Sequence, residues 1–129
     1  MILASMYTFL SGTGSVTSLC SSIYPEFLPE NHQSFPAIVL GLISNDEEML
    51  LDGTTSSLST ATITVDCLDK SLSSAAAVAS AVESALIGYR GPFGTETVDH
   101  LRKESEDLIP LDPSTELIGV SMQFFIGYS

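Results

Sequence analysis

Apolar positions along the chain change their period several times, and each change marks an element. Ile2 or Leu3, Met6, Phe9 and Leu10 recur at helical spacing over residues 2–10, which predicts a short amphipathic helix. Ser11-Gly-Thr-Gly14 ends it, and a second short turn follows with Val16 and Leu19 facing inward. Ser22-Ile-Tyr-Pro25 reads as a short strand stopped by proline, and residues 26–36, with Pro29, Asn31 and Pro36, read as a loop. Ala37 to Ile43 is an apolar strand with both faces expected to be covered. Asn45-Asp-Glu-Glu48 is expected to break that run, Met49-Leu-Leu51 to resume pairing, and Asp52-Gly53 to turn.

The middle of the chain is more regular. Over residues 60–67, Ile63, Val65 and Cys67 alternate with Thr62, Thr64 and Asp66, the pattern of a half-buried strand. Asp69 or Ser71 then caps a long helix predicted over 71–90. Its apolar stripe is Leu72, Ala75, Ala76, Ala79, Val82, Leu86 and Tyr89, and its small residues permit close approach to a sheet. Such a helix spans about 30 Å. Gly91-Pro92 is the expected stop. Residues 95–109 fit a helix through Val98, Leu101 and Leu108, and equally a strand through Val98, His100 and Arg102. Pro110 to Ser114 is a turn, and Ile118 to Tyr128 alternates as the longest strand. The class is α+β: an antiparallel sheet of about four or five strands packed against one long helix, with a short N-terminal helix. With 129 residues, one domain over 1–129 is expected.

Composition narrows the function. Sixteen acidic residues face four basic ones, Lys70, Arg90, Arg102 and Lys103, for a net charge of −12. Gripping nucleic acid or an anionic membrane requires clustered Lys and Arg, which this chain lacks. The charged fraction is 16%, below the roughly 25% of an average domain, so partners are expected to cover part of the surface. The N-terminus has no positive region of a signal peptide, and no apolar run is long enough for a membrane span. Cys20 and Cys67 lie in apolar contexts and are expected as buried free thiols, with no zinc spacing.

Catalytic signatures are missing. His32 and His100 are the only histidines, and no GxSxG elbow accompanies them. Gly12-Thr-Gly14 lacks the strand, third glycine and lysine of a phosphate loop. The acidic clusters Asp46-Glu-Glu48 and Glu104/Glu106/Asp107 lack the alternation of a calcium loop. No cofactor or metal is expected, and no catalytic residue. Tyr89-Arg90 is a candidate interface anchor, although Arg90 could equally complement the helix dipole.

In order, the chain runs Ile23-Tyr-Pro25, Phe35-Pro-Ala-Ile-Val39, Leu51-Asp-Gly53, Thr62-Ile-Thr-Val-Asp-Cys67, Leu86-Ile-Gly-Tyr-Arg-Gly91, Arg102 to Leu108, and a final alternating strand. This order resembles the tail-completion, or tail-terminator, proteins of long-tailed bacteriophages and gene-transfer particles, over nearly the whole chain. The most specific part is the Val-Asp-Cys strand running into the Ala-rich helix that ends in Tyr-Arg-Gly. The resemblance implies a non-enzymatic virion protein, assembled in the host cytoplasm, that forms a hexameric ring on the tail tube. It implies the major tail tube protein and a head-completion or stopper protein as partners, DNA passing through the lumen without specific binding, and no membrane. It also implies a strand over 97–108. A ring subunit is expected to complete loops or edges against its neighbours, and residues 44–60 are the expected loop that orders on assembly. Interface candidates are Leu51, Asp52, Gly53, Tyr89 and Arg90. Lumen candidates are Asp46, Glu47, Glu48, Glu104, Glu106 and Asp107. The alternatives are another neck component, such as a head-completion or stopper protein, and a small α+β ligand-binding domain or enzyme.

Overall fold

The computed structural model describes residues 2–20, 22–25, 35–49 and 55–129. The helices are α1 (Ile2–Ser11), α2 (Gly14–Thr17) and α3 (Leu72–Leu86). The strands are β1 (Ser22–Pro25), β2 (Ala37–Met49), β3 (Thr55–Asp69), β4 (Gly91–Phe93), β5 (Glu96–Ile109) and β6 (Ile118–Tyr128). They form one six-stranded sheet in the order β1-β2-β3-β6-β5-β4. All neighbours are antiparallel except β1 and β2, which run parallel.

The α+β class stands, with more strand than the periodicity indicated. β3 and β6 form the centre, where their alternation is cleanest. Ile63 lies opposite Phe124, Val65 opposite Met122 and Cys67 opposite Val120. These side chains and Ile38 and Leu40 of β2 face the helices. From α1 come Ile2, Leu3, Met6 and Leu10, and from α3 Ala75, Val78, Ala79, Val82 and Leu86. Burying each large aliphatic of this layer contributes about 1.5–3 kcal/mol.

Three boundaries differ from the sequence reading. Residues 44–49 and 55–60 are not a loop, and Asn45 to Glu48 does not break β2. The β2–β3 hairpin continues to the Met49–Thr55 pair. Asp and Glu disfavour strands only weakly, and a paired partner on one side with water on the other outweighs that preference. Residues 50–54, including Leu51, Asp52 and Gly53, lie outside the described residues, as do His32 and most of the expected 26–36 loop.

The long helix is shorter than the expected 71–90. α3 stops at Leu86 because Gly88 takes a φ of +72°, which a side chain disfavours. Gly91 and Pro92 then belong to β4. Ser71 is the N-cap residue, without a side-chain hydrogen bond to the helix. Val78, outside the expected stripe, is buried, while Leu72 and Ala76 within it are exposed. Val16 of α2 is buried, but beyond the helix Leu19 is 46% exposed and Cys20 takes the inward place.

Residues 96–109 resolve as strand, and the helices cover only one face of the sheet. β2 is therefore not enclosed on both sides: Val39 and Gly41 are half-buried and Ile43 is 56% exposed. α1 packs against β1 at one end of the sheet and against β4 at the other, so the sheet curls around the helical layer. The rings of Phe9 and Phe93 stack at 4.8 Å, and Phe9 meets Tyr89 at 4.6 Å. Ser5 Oγ donates to Glu96 Oε2 at the start of β5.

Candidate assembly interface

The edge strands are short, and this exposes their neighbours. β1 pairs only with Ala37 to Leu40 of β2, and β4 only with Glu96 to Val98 of β5. The segment after α3 adds one contact, Gly88 N–H donating to Leu101 O at 3.4 Å. Among the described residues, the outer backbone of β2 from Gly41 to Met49 and that of β5 from Arg102 to Ile109 have no strand partner. Such edges present rows of N–H and C=O groups to another chain. Each is irregular, with register shifts at Leu42/Ser44 and Glu47/Met49 in β2 and at Lys103/Ser105 in β5. Ile43 stands 56% exposed on one edge and Leu108 58% exposed on the other.

The sheet face away from the helices is the second surface. Pairing places Thr62 beside Phe125, Thr64 beside Gln123 and Asp66 beside Ser121. Ser121 Oγ donates to Asp66 Oδ1 at 2.5 Å. Arg102 lies over the Phe125 ring at 4.7 Å, and the His100 ring meets the same ring at 5.4 Å. His100 thus stacks on Phe125 on the open face. The cleft of about 340 Å³ beside α1 is bounded by Ala4, Ser5, Thr8, Gly94 and Thr95, which supply no acid–base pair. Among the described residues, no group of three or more His, Cys, Asp or Glu could hold a metal ion, and no helix is long and apolar enough to cross a membrane.

The acidic candidates separate. Asp46 pairs across to Thr60 and Asp107 to Ser121, which puts both on the open face near opposite ends of the sheet. Asp66, outside the candidate set, shares that face; the alternation of Thr62, Thr64 and Asp66 was its signal. Glu106 lies opposite Met122, on the helix side. There Lys103 Nζ sits 2.7 Å from Glu83 and 3.5 Å from Glu106. The hydrogen bond to Glu83 holds the Lys103 ammonium above its ordinary pKa. Glu104 is exposed and pairs with Arg102 at 3.6 Å. Glu47 and Glu48 precede Met49, the last residue of β2. Tyr89 packs in the cluster with Phe9 and Phe93 and donates its hydroxyl to Pro92 O, while Arg90 is exposed.

Comparison with known proteins bears on what these surfaces serve. Residues 4–128 match the family described as Tail completion protein gp17. The chain belongs to that family. This tail completion protein is therefore a structural component of a virion tail and not an enzyme. Its fold is similar to that of a chain in a solved structure titled "Virion of native gene transfer agent (GTA) particle". The TM-score is 0.73 at 15% identity, over 98% of this chain and 93% of that one. At that identity the likeness concerns the fold. Comparison with curated proteins finds no match by sequence. Both buried cysteines of the tail completion protein are free thiols.

Proposed function

We infer that this tail completion protein forms a hexameric ring on the last ring of the tail tube. The ring ends tube growth and presents its other side to a head-completion or stopper protein. DNA passes through its lumen without being gripped. The observation that carries this reading is the one-sided sheet. Helices cover one face, and the other is a hydroxyl- and amide-rich surface of Thr62, Thr64, Ser121 and Gln123 with Asp66, Asp46 and Asp107. A surface of that kind suits a channel for a polyanion, because it offers almost no cation to neutralise phosphates. Arg102, the basic residue beside Phe125, is already paired with Glu104.

On this reading Asp46, Asp66 and Asp107 face the lumen, while Glu104 and Glu106 lie nearer a subunit boundary, each already paired with a cation. Exposed Arg90 suits contact with an axial neighbour, and Tyr89 acts by fixing the segment that carries it. Leu51, Asp52 and Gly53 would contact the adjoining ring.

Cryo-electron microscopy of the head–tail junction tests the reading. Six copies of this chain between tube and head, with the open sheet face inward, are expected. Copies in contact with the portal side and none with the tube would instead make it a neighbouring neck component.

A further inference from the structure

We propose that the edge of β2 left unpaired among the described residues in one copy pairs antiparallel with the corresponding edge of β5 in the next copy, joining the sheets around the ring. This deepens the ring reading above and rests on it. Three features of the chain support it. The two edges lie on opposite sides of the same sheet, so pairing is head-to-tail and propagates around an axis without using one patch twice. Both edges run well past the short strands that would otherwise cap them, Gly41 to Met49 and Arg102 to Ile109. An added strand takes its affinity from such backbone groups.

Chemistry on the two edges then selects a register. β2 carries exposed Ile43 followed by Asp46, Glu47 and Glu48. β5 carries Arg102 and Lys103 followed by exposed Leu108. The step along the chain from Ile43 to Glu48 equals that from Lys103 to Leu108. An antiparallel alignment that sets Ile43 against Leu108 therefore sets position 48 against Lys103 and places Asp46 on the diagonal to Arg102, which shares its face of the sheet. The irregularities at Ile43, Glu48 and Glu104 each shift this by about one residue. One register thus buries both exposed aliphatics together and sets the acidic run beside two of the chain's four basic residues. Lys103, held by Glu83 and Glu106 in the single chain, is positioned in advance.

Paired cysteines read the contact directly. The variant Ile43→Cys/Leu108→Cys, oxidised in assembled particles, should give a ladder of covalent multimers up to the ring. Either single variant should give none, and particles built from a mixture of the two should stop at dimers. Cys20 and Cys67 are buried and do not compete. As a second measurement, Asp46→Lys/Glu48→Lys should weaken self-association roughly tenfold, and adding Arg102→Glu/Lys103→Glu should restore it. Melting by circular dichroism separates this from misfolding. Head-joined particles whose double-cysteine chains stay monomeric after oxidation would overturn the edge pairing and leave the ring reading standing. Particles that join normally with no copy of this protein would remove both.

Discussion

At the scale of the residue, the buried thiols make a quantitative demand. Burial, with minor repulsion from Cys20 and Asp66, pushes the Cys67 thiol from 9.0 up to about 12. The native state therefore keeps a proton that the unfolded chain releases near 9. Its contribution is complete below that pH and is lost as pH rises toward the folded value, at about 1.4 kcal/mol per pH unit. Urea midpoints at about pH 8 and about pH 10.5 should fall more steeply for the native protein than for Cys67→Ala. Equal slopes would mean that Cys67 is not shielded. Beside it, a Cβ on Gly119 would stand 2.3 Å from the Cys67 carbonyl oxygen, which is backbone and cannot step aside. Gly119→Ala should cost at least about 1–3 kcal/mol in denaturant unfolding. The inward place of Cys67 was legible, because Ile63 and Val65 set its phase. The clash at Gly119 was not, because it arises between strands far apart in the chain.

At the scale of the element, β6, α1 and the part of β3 from residue 60 onward were legible because each carries one dominant period. The remainder depended on partners. β4 has three residues, too few for any period, and forms because Phe93 finds Phe9 and Tyr89. β2 runs through Asn45 to Glu48 because β3 pairs with it there. β5 exposes most of its side chains, so neither period dominates, and its strand form comes from the register with β6. Two outcomes follow. Phe93→Ala should lower stability by about 3–5 kcal/mol, measured by chemical denaturation, since it removes the ring that ties the sheet's edge to α1. Replacing residues 47–57 with a two-residue turn should leave the melting temperature nearly unchanged, because β6 ends opposite Ser59 and the hairpin projects beyond it. The shortened chain should nevertheless fail to complete tails in a particle assembly assay.

At the scale of the whole molecule, charge and one-sidedness carry the functional reading. With a net charge of −12 and four basic residues, the free protein should show no measurable retention of duplex DNA at moderate salt. Converting Asp66, which shares the open face but lies on a central strand, to Lys should slow genome exit from assembled particles, read by the rate of DNA release, and leave assembly intact. The non-enzymatic class was legible from the missing motifs together with the order of elements. The surfaces were only partly so, since alternation marks which side chains share a face but not which face the helices cover. The central claim is that this chain completes the tail so that it can join the head, and electron microscopy of particles produced without it tests that claim most directly. The account predicts filled heads separate from overlong or unattached tails; normal joined particles would contradict it.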